Sequence, residues 1–195
     1  FRPLTKNRPA CLTNIRWRGI VLHRKRPVSR ARDALPDTVS TPQCTEERSM
    51  KLPELKIGSL IAKIPIIQGG MSIRVSTSAL AVPVAECGGI GTIGGSGIPV
   101  PELQEDIRKA KKATKGVIAV NIMYAMKDFY DLIMGSIEAG ADMIITGAGF
   151  SRDIFKIGKD HNIPIVSIVS SPAFATLAEK LGAAAGIVEA TEGGG

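Results

Sequence analysis

The stretch AECGGIGTIGGSG, residues 85–97, holds one complete joint of the chain. Gly88 and Gly89 follow a helical pattern, and glycine accepts the left-handed conformation in which helices end. Gly89–Ile93 is then a short apolar run. Gly94-Gly95-Ser96-Gly97 closes the joint with a bare turn, where the backbone can come close to a ligand.

The same joint recurs along residues 50–195. Apolar runs stand at Ile64–Ile67, Gly89–Ile93, Val117–Ile122, Met143–Thr146, Ile163–Val169 and Gly186–Val188. They are continuous instead of alternating, which predicts strands buried on both faces and a parallel sheet. Helical patterns lie between them at about 77–87, 101–114, 127–139, 151–161 and 172–181. The second has Pro101 and acids at its start, lysines at its end, and a stripe of Leu103, Ile107 and Ala110. Gly88, Gly140 and Gly182 each sit where a helix must stop before a strand. Pro83 inside the first helix should kink or shorten it.

Repeated βα units fit either a doubly wound sheet or a (β/α)8 barrel. A doubly wound dinucleotide fold has one glycine-rich turn, after its first strand. Here Gln68–Met71, Gly94–Gly97, Gly147–Gly149, Ser170-Ser171 and Glu192–Gly195 follow nearly every strand, and such loops converge only on a barrel's carboxyl face. The expected fold is α/β, a TIM (β/α)8 barrel truncated after about six strands, where a complete barrel takes roughly 250 residues.

Charge is unevenly spread. Residues 1–49 hold 11 Lys and Arg against 4 acids, a surplus equal to the +7 of the whole chain, and residues 50–195 balance at 14 of each. The body therefore lacks the footprint of a nucleic-acid binder. Three cysteines and two histidines, without ligand spacing, speak against a zinc site and fit a cytoplasmic protein. Cys87 is expected as a small buried residue. No apolar run reaches the roughly 18 residues of a membrane span.

Residues 1–49 are expected to form a basic, disordered extension, because five prolines and no sustained periodicity leave little apolar surface to bury. An upstream translated stretch before Met50, a targeting peptide and a nucleic-acid-binding arm all remain open for it.

Two motifs carry chemistry. Gln68-Gly69-Gly70-Met71 offers close backbone approach, an amide and a soft thioether, or is an ordinary tight turn. Asn121, inside Val120-Asn121-Ile122, is a polar amide in a buried strand. It either satisfies backbone across the barrel or holds a ligand.

From LPELKIGSLIAKIPIIQGGM through AECGGIGTIGGSG, VNIM, TGAG, IPIVSIVSS and VEATEGGG, residues 50–195 resemble the nitronate monooxygenase (2-nitropropane dioxygenase) family. They are also similar to the related FMN-dependent enoyl-acyl-carrier-protein reductase. The resemblance implies FMN at the barrel's carboxyl end. Gln68, Gly69, Gly70 and Met71 would line the flavin, Asn121 would bond to it, and Thr146, Gly147 and Ser170 would share the rim. Glu192, Gly194 and Gly195 would belong to a loop that continues in the family to a histidine, the candidate catalytic base, which falls just beyond Gly195. Gly193 departs from the alanine usual in that loop. Arg74 stands where the family has smaller residues, facing solvent or a substrate anion.

The implied activity is that of an FMN-dependent nitronate monooxygenase, oxidising alkyl nitronates with O2. The alternatives are an FMN- and NAD(P)H-dependent enoyl-acyl-carrier-protein reductase and an inactive flavin-binding fragment; inactivity is expected of the chain by itself. The implied partners are a small-molecule nitronate and O2, with no nucleic acid and no membrane; a homodimer is compatible with this reading.

Overall fold

The computed structural model describes residues 52–72 and 74–189. The basic stretch 1–49 and the last loop, with Glu192, Gly194 and Gly195, lie outside these residues.

Twelve elements follow one another among the described residues. A hairpin comes first, β1 (Leu55–Ile57) and β2 (Leu60–Ala62). Helices and strands then alternate: α1 (Ser78–Glu86), β3 (Ile90–Gly94), α2 (Val100–Ala113), β4 (Val117–Met123), α3 (Phe129–Glu138), β5 (Met143–Gly147), α4 (Asp153–Asp160), β6 (Ile165–Val169), α5 (Pro172–Leu181) and β7 (Ala185–Val188).

The five later strands form one parallel sheet in the order β3-β4-β5-β6-β7. Residue Ile67 pairs in parallel with Ile90 and adds a sixth segment before β3. Spatial order thus follows chain order without reversal. A doubly wound sheet reverses at its switch point; a barrel wall does not. The fold is α/β and the sheet is the wall of a TIM barrel.

Two apolar layers explain the continuous strand runs. Ile93, Ile118, Val120 and Ile144 face the helices and pack on Leu103, Ile107, Leu132 and Ile154. Their strand neighbours Ile90, Ala119, Met143, Ile145 and Val166 form a second cluster on the opposite, inner face. Both faces being dry, alternation has no reason to appear in the sequence.

The helix signals hold. The stripe Leu103, Ile107 and Ala110 is buried, Pro101 lies in the first turn of α2, and Lys111 and Lys112 lie in its last. Gly88, Gly140 and Gly182 all take positive φ. Helix α1 has no cap of its own. Asp106 of α2 supplies one, accepting from Ser78 N at 2.9 Å and from Ser78 Oγ at 2.5 Å.

Four expectations need correction. The β1–β2 hairpin was not foreseen, although Gly58-Ser59 between short apolar pairs is a hairpin signal. Its Ile57 and Ala62 join the inner cluster, and Gly58 lies against Pro164 at the amino-terminal end of β6, so the hairpin closes the bottom of the wall. The run Ile64–Ile67 forms a single bridge instead of a full strand. Pro83 does not break α1, because Ala79, whose carbonyl loses its partner, is exposed to water. Cys87 is exposed, lying beyond the packed face of α1.

Candidate functional site

All parallel strands end at one rim, and the sequence motifs meet there. Residues 64–68 run beside β3, with Ile64 N donating to Gly88 O, Ile90 N to Ile66 O and Gln68 N to Ile90 O. The Gln68 side chain then takes over. Its Oε1 accepts from Thr92 N at 3.3 Å and its Nε2 donates to Thr92 O at 3.0 Å. The carboxamide replaces the next peptide of the ladder, so the main chain can turn away over the rim. Gln68 therefore holds the loop, with its amide committed to protein partners.

Ser76, fully buried, fixes that loop from the other side. Its Oγ donates to Gly69 O at 3.0 Å and accepts from Met71 N and Gln68 Nε2, each at 3.0 Å. Nothing in the sequence distinguished Ser76 from other loop serines.

Gly70 rests directly on Asn121. A Cβ at Gly70 would stand 2.3 Å from Asn121 Cβ, so only glycine fits. Asn121 Nδ2 donates to Gly70 O at 3.1 Å. Asn121 Oδ1 is buried and has no hydrogen-bond partner among the described residues. A Cβ at Gly147 would lie 3.8 Å from that oxygen, an ordinary contact, so the bare glycine leaves space beside it. The donor end of Asn121 thus satisfies backbone, the first of its two alternatives, while Oδ1 stays buried in the floor beside Gly147. A buried acceptor without a donor is costly, and a ligand N–H or O–H would satisfy it.

Met71, Met123 and Tyr124 surround this floor with 47%, 41% and 41% of their surface exposed. Tyr124 N donates to Gly147 O at 2.9 Å, and its ring meets Phe129 edge-on with centroids 5.2 Å apart. After β5, Ala148 takes φ +55, a conformation unusual for a residue with a Cβ. A cavity of about 470 Å³ lies beyond Tyr124, beside this floor and not over it, lined by Tyr124, Gly149, Phe150, Ser170, Phe174 and Glu189 among others.

The structure brings Gln68, Gly69, Gly70, Met71, Asn121 and Gly147 together, with Ser170 on the neighbouring cavity. Thr146 is different. It shares its strand face with Ile144, towards the helices, and its buried hydroxyl lies 3.3 Å from Ser167 Oγ. Its side chain is turned away from the floor by strand alternation. Arg74 pairs with Glu102 at 2.8 Å. Tyr124 and Glu189 join the cavity without having been singled out; their places just after apolar runs were the available signal.

A larger cavity, about 680 Å³, lies at the other end of the wall beside Lys63, Cys87 and Lys115. Ligands of parallel βα folds bind at the carboxyl ends of strands, so the rim with Gly70, Asn121 and Gly147 is the candidate site. Among the described residues no three His, Cys, Asp or Glu stand together as metal ligands, and no helix is long and apolar enough to cross a membrane.

A barrel wall with ligand-facing loops at its carboxyl rim defines the class. Within it, the chain resembles the nitronate monooxygenases, a family of oxidoreductases: residues 54–138 match the model described as Nitronate monooxygenase. Among solved structures it is similar to FabK from Thermotoga maritima, at 30% identity and TM-score 0.63, covering 66% of this chain and 41% of that one. Nitroalkane oxidase from Streptomyces ansochromogenes shares the fold at 17% identity and TM-score 0.59, covering 66% of this chain and 46% of that one. Among curated proteins, the putative diacylated glycolipid transporter LprF of Mycobacterium tuberculosis is 28% identical over 113 residues, 56% of this chain. The chain spans 43% of the length of that relative.

Proposed function

We propose that this rim binds a flavin, FMN, and that the protein belongs to an FMN-dependent oxidoreductase acting on alkyl nitronates with O2. The observation that carries the reading is Asn121 Oδ1, buried beside bare Gly147 without a partner among the described residues, within a chain whose residues 54–138 match the nitronate monooxygenase model. An isoalloxazine or ribityl donor would satisfy that acceptor. The exposed thioethers of Met71 and Met123 and the ring of Tyr124 offer soft, polarisable contact to a flat conjugated system.

The flavin, when bound, supplies the electron-transfer chemistry. The chain's own residues bind and orient. Gln68 and Ser76 hold the loop, Gly70 O fixes the Asn121 amide, and Asn121 Oδ1 accepts from the cofactor. Ser170 and Glu189 extend the rim in this reading, and Glu192, Gly194 and Gly195, outside the described residues, are assigned to cofactor binding by the family resemblance alone. A nitronate has already lost its α proton, so its oxidation asks no general base of the residues described.

A second reading, the NAD(P)H-dependent enoyl-acyl-carrier-protein reductase, is favoured by the 30% identity to FabK. The test is reconstitution with FMN followed by two assays. O2 uptake with a short alkyl nitronate supports the first reading. NADH oxidation with crotonyl thioester, without nitronate activity, replaces it with the second. A protein that stays colourless after reconstitution refutes both.

A further inference from the structure

The chain has six methionines, and those among the described residues differ in burial. Methionine is a flexible core filler, and Met143 serves that way, fully buried in the inner cluster. Met126 and Met134 are half-buried. Met71 and Met123 are the exposed ones among the described residues. They come from separate segments and flank one point, Asn121. Met123 follows Asn121 by two positions on β4, so alternation puts it on the same inner face, where it pairs with Gly147. Met71 crosses the end of β3: a Cβ at Gly94 would stand 2.4 Å from Met71 O, and Gly94 pairs with Asn121. Both backbones are held, Met71 N by Ser76 Oγ at 3.0 Å and Met123 N by Ser96 Oγ at 2.8 Å. Two thioethers are thus fixed at the rim within reach of solvent.

From this placement we infer that Met71 and Met123 form an oxidation site, where hydrogen peroxide converts two apolar rim contacts into polar sulfoxides and loosens ligand binding. The thioether sulfur attacks one peroxide oxygen, and an S–O bond forms as the O–O bond breaks. Sulfur is oxidised by two electrons, and the other oxygen leaves with both protons as water. Access selects the site: Met71 and Met123 are 47% and 41% exposed, and Met143 is 0% exposed. A sulfoxide is polar and chiral where the thioether was apolar. It gives up the contact of sulfur with an aromatic ring, which contributes about two- to ten-fold in affinity for each methionine. The change is reversible, because methionine sulfoxide reductases restore the thioether. The effect on FMN rests on the flavin reading above; the order in which the methionines oxidise does not.

The test treats the full chain with hydrogen peroxide and follows the gain of one oxygen at each methionine by peptide mass spectrometry. Met71 and Met123 should oxidise about ten-fold faster than Met143, and FMN bound beforehand should protect both. After oxidation, FMN affinity, read by flavin fluorescence, should fall about three-fold or more and recover after treatment with methionine sulfoxide reductases. The double variant Met71→Leu, Met123→Leu changes the rim itself, so it is compared with itself before and after peroxide, and its affinity should not move. Cys87 is also exposed; a fall in affinity of the treated double variant would assign the effect to such a group and overturn the proposal. Oxidation of Met143 at the same rate, no protection by bound FMN, or an oxidised rim that binds FMN as before would overturn it too. A parent protein that takes up no FMN would sink the flavin reading, while the rates at Met71, Met123 and Met143 would still decide the oxidation site.

Discussion

Replacing Gly70 with alanine tests the contact on which the site is built. The new methyl carbon would sit 2.3 Å from Asn121 Cβ, 2.7 Å from Nδ2 and 2.9 Å from Cγ. Ordinary carbon contacts begin near 3.5 Å, so the loop or the side chain must retreat by about 1 Å. Retreat stretches the 3.1 Å bond from Asn121 Nδ2 to Gly70 O. Overpacking of this kind costs about 1–3 kcal/mol, and the lost hydrogen bond about 1 kcal/mol more. A loss of roughly 2–4 kcal/mol in urea unfolding is expected, with weakened FMN binding. The nearest clash is with Cβ itself, so Asn121→Ala should not rescue Gly70→Ala, whereas Asn121→Gly should, with a coupling well above 0.5 kcal/mol. Stability of Gly70→Ala within about 0.5 kcal/mol of the parent, or equal rescue by both partners, would refute the geometry.

Three further outcomes are expected. Gly91→Ala aims a Cβ at the backbone oxygen of Ala81, 2.0 Å away; it should cost about 3 kcal/mol or more by separating α1 from β3, seen in a urea midpoint. Asp142 accepts both from Lys111 Nζ at 2.7 Å and from Ile118 N at 2.8 Å. Asp142→Ala should therefore cost about 1–3 kcal/mol, and more than Lys111→Met, which leaves the bond to Ile118 intact; the reverse order in thermal unfolding would contradict this. Ala148→Gly should stabilise by up to about 1 kcal/mol, because glycine takes φ +55 without strain; a clear loss of melting temperature would show that the alanine is not strained.

Much of the fold could be read from the residues because local and tertiary signals agreed. The stripe Leu103, Ile107 and Ala110, the glycines at 88, 140 and 182, and the dry strand runs each had one physical reading, and the wall uses all of them. The hairpin was less legible: Leu55–Ile57 and Leu60–Ala62 are three residues each, too short for periodicity to speak. In the site, Asn121 stood out because an amide among apolar neighbours must have a reason. Gly70 looked like turn chemistry, and its necessity appears only when Asn121 is seen beneath it, 51 residues away in sequence. Thr146 was placed on the rim by the resemblance, while alternation along β5 turns its side chain to the face it shares with Ile144. Ser76 could not be found at all, since its three partners lie on a backbone path that no local pattern encodes.

The way Gln68 bridges Thr92 narrows what evolution can write at that position. Glutamate would set a second acceptor against the Thr92 carbonyl, and asparagine is one methylene short of the reach. Either change would remove the substitute for a ladder peptide and loosen the point where the main chain leaves its neighbour, leaving Ser76 and Asn121 to hold Met71 and Gly70. One amide group thus marks the place where the backbone departs from the wall.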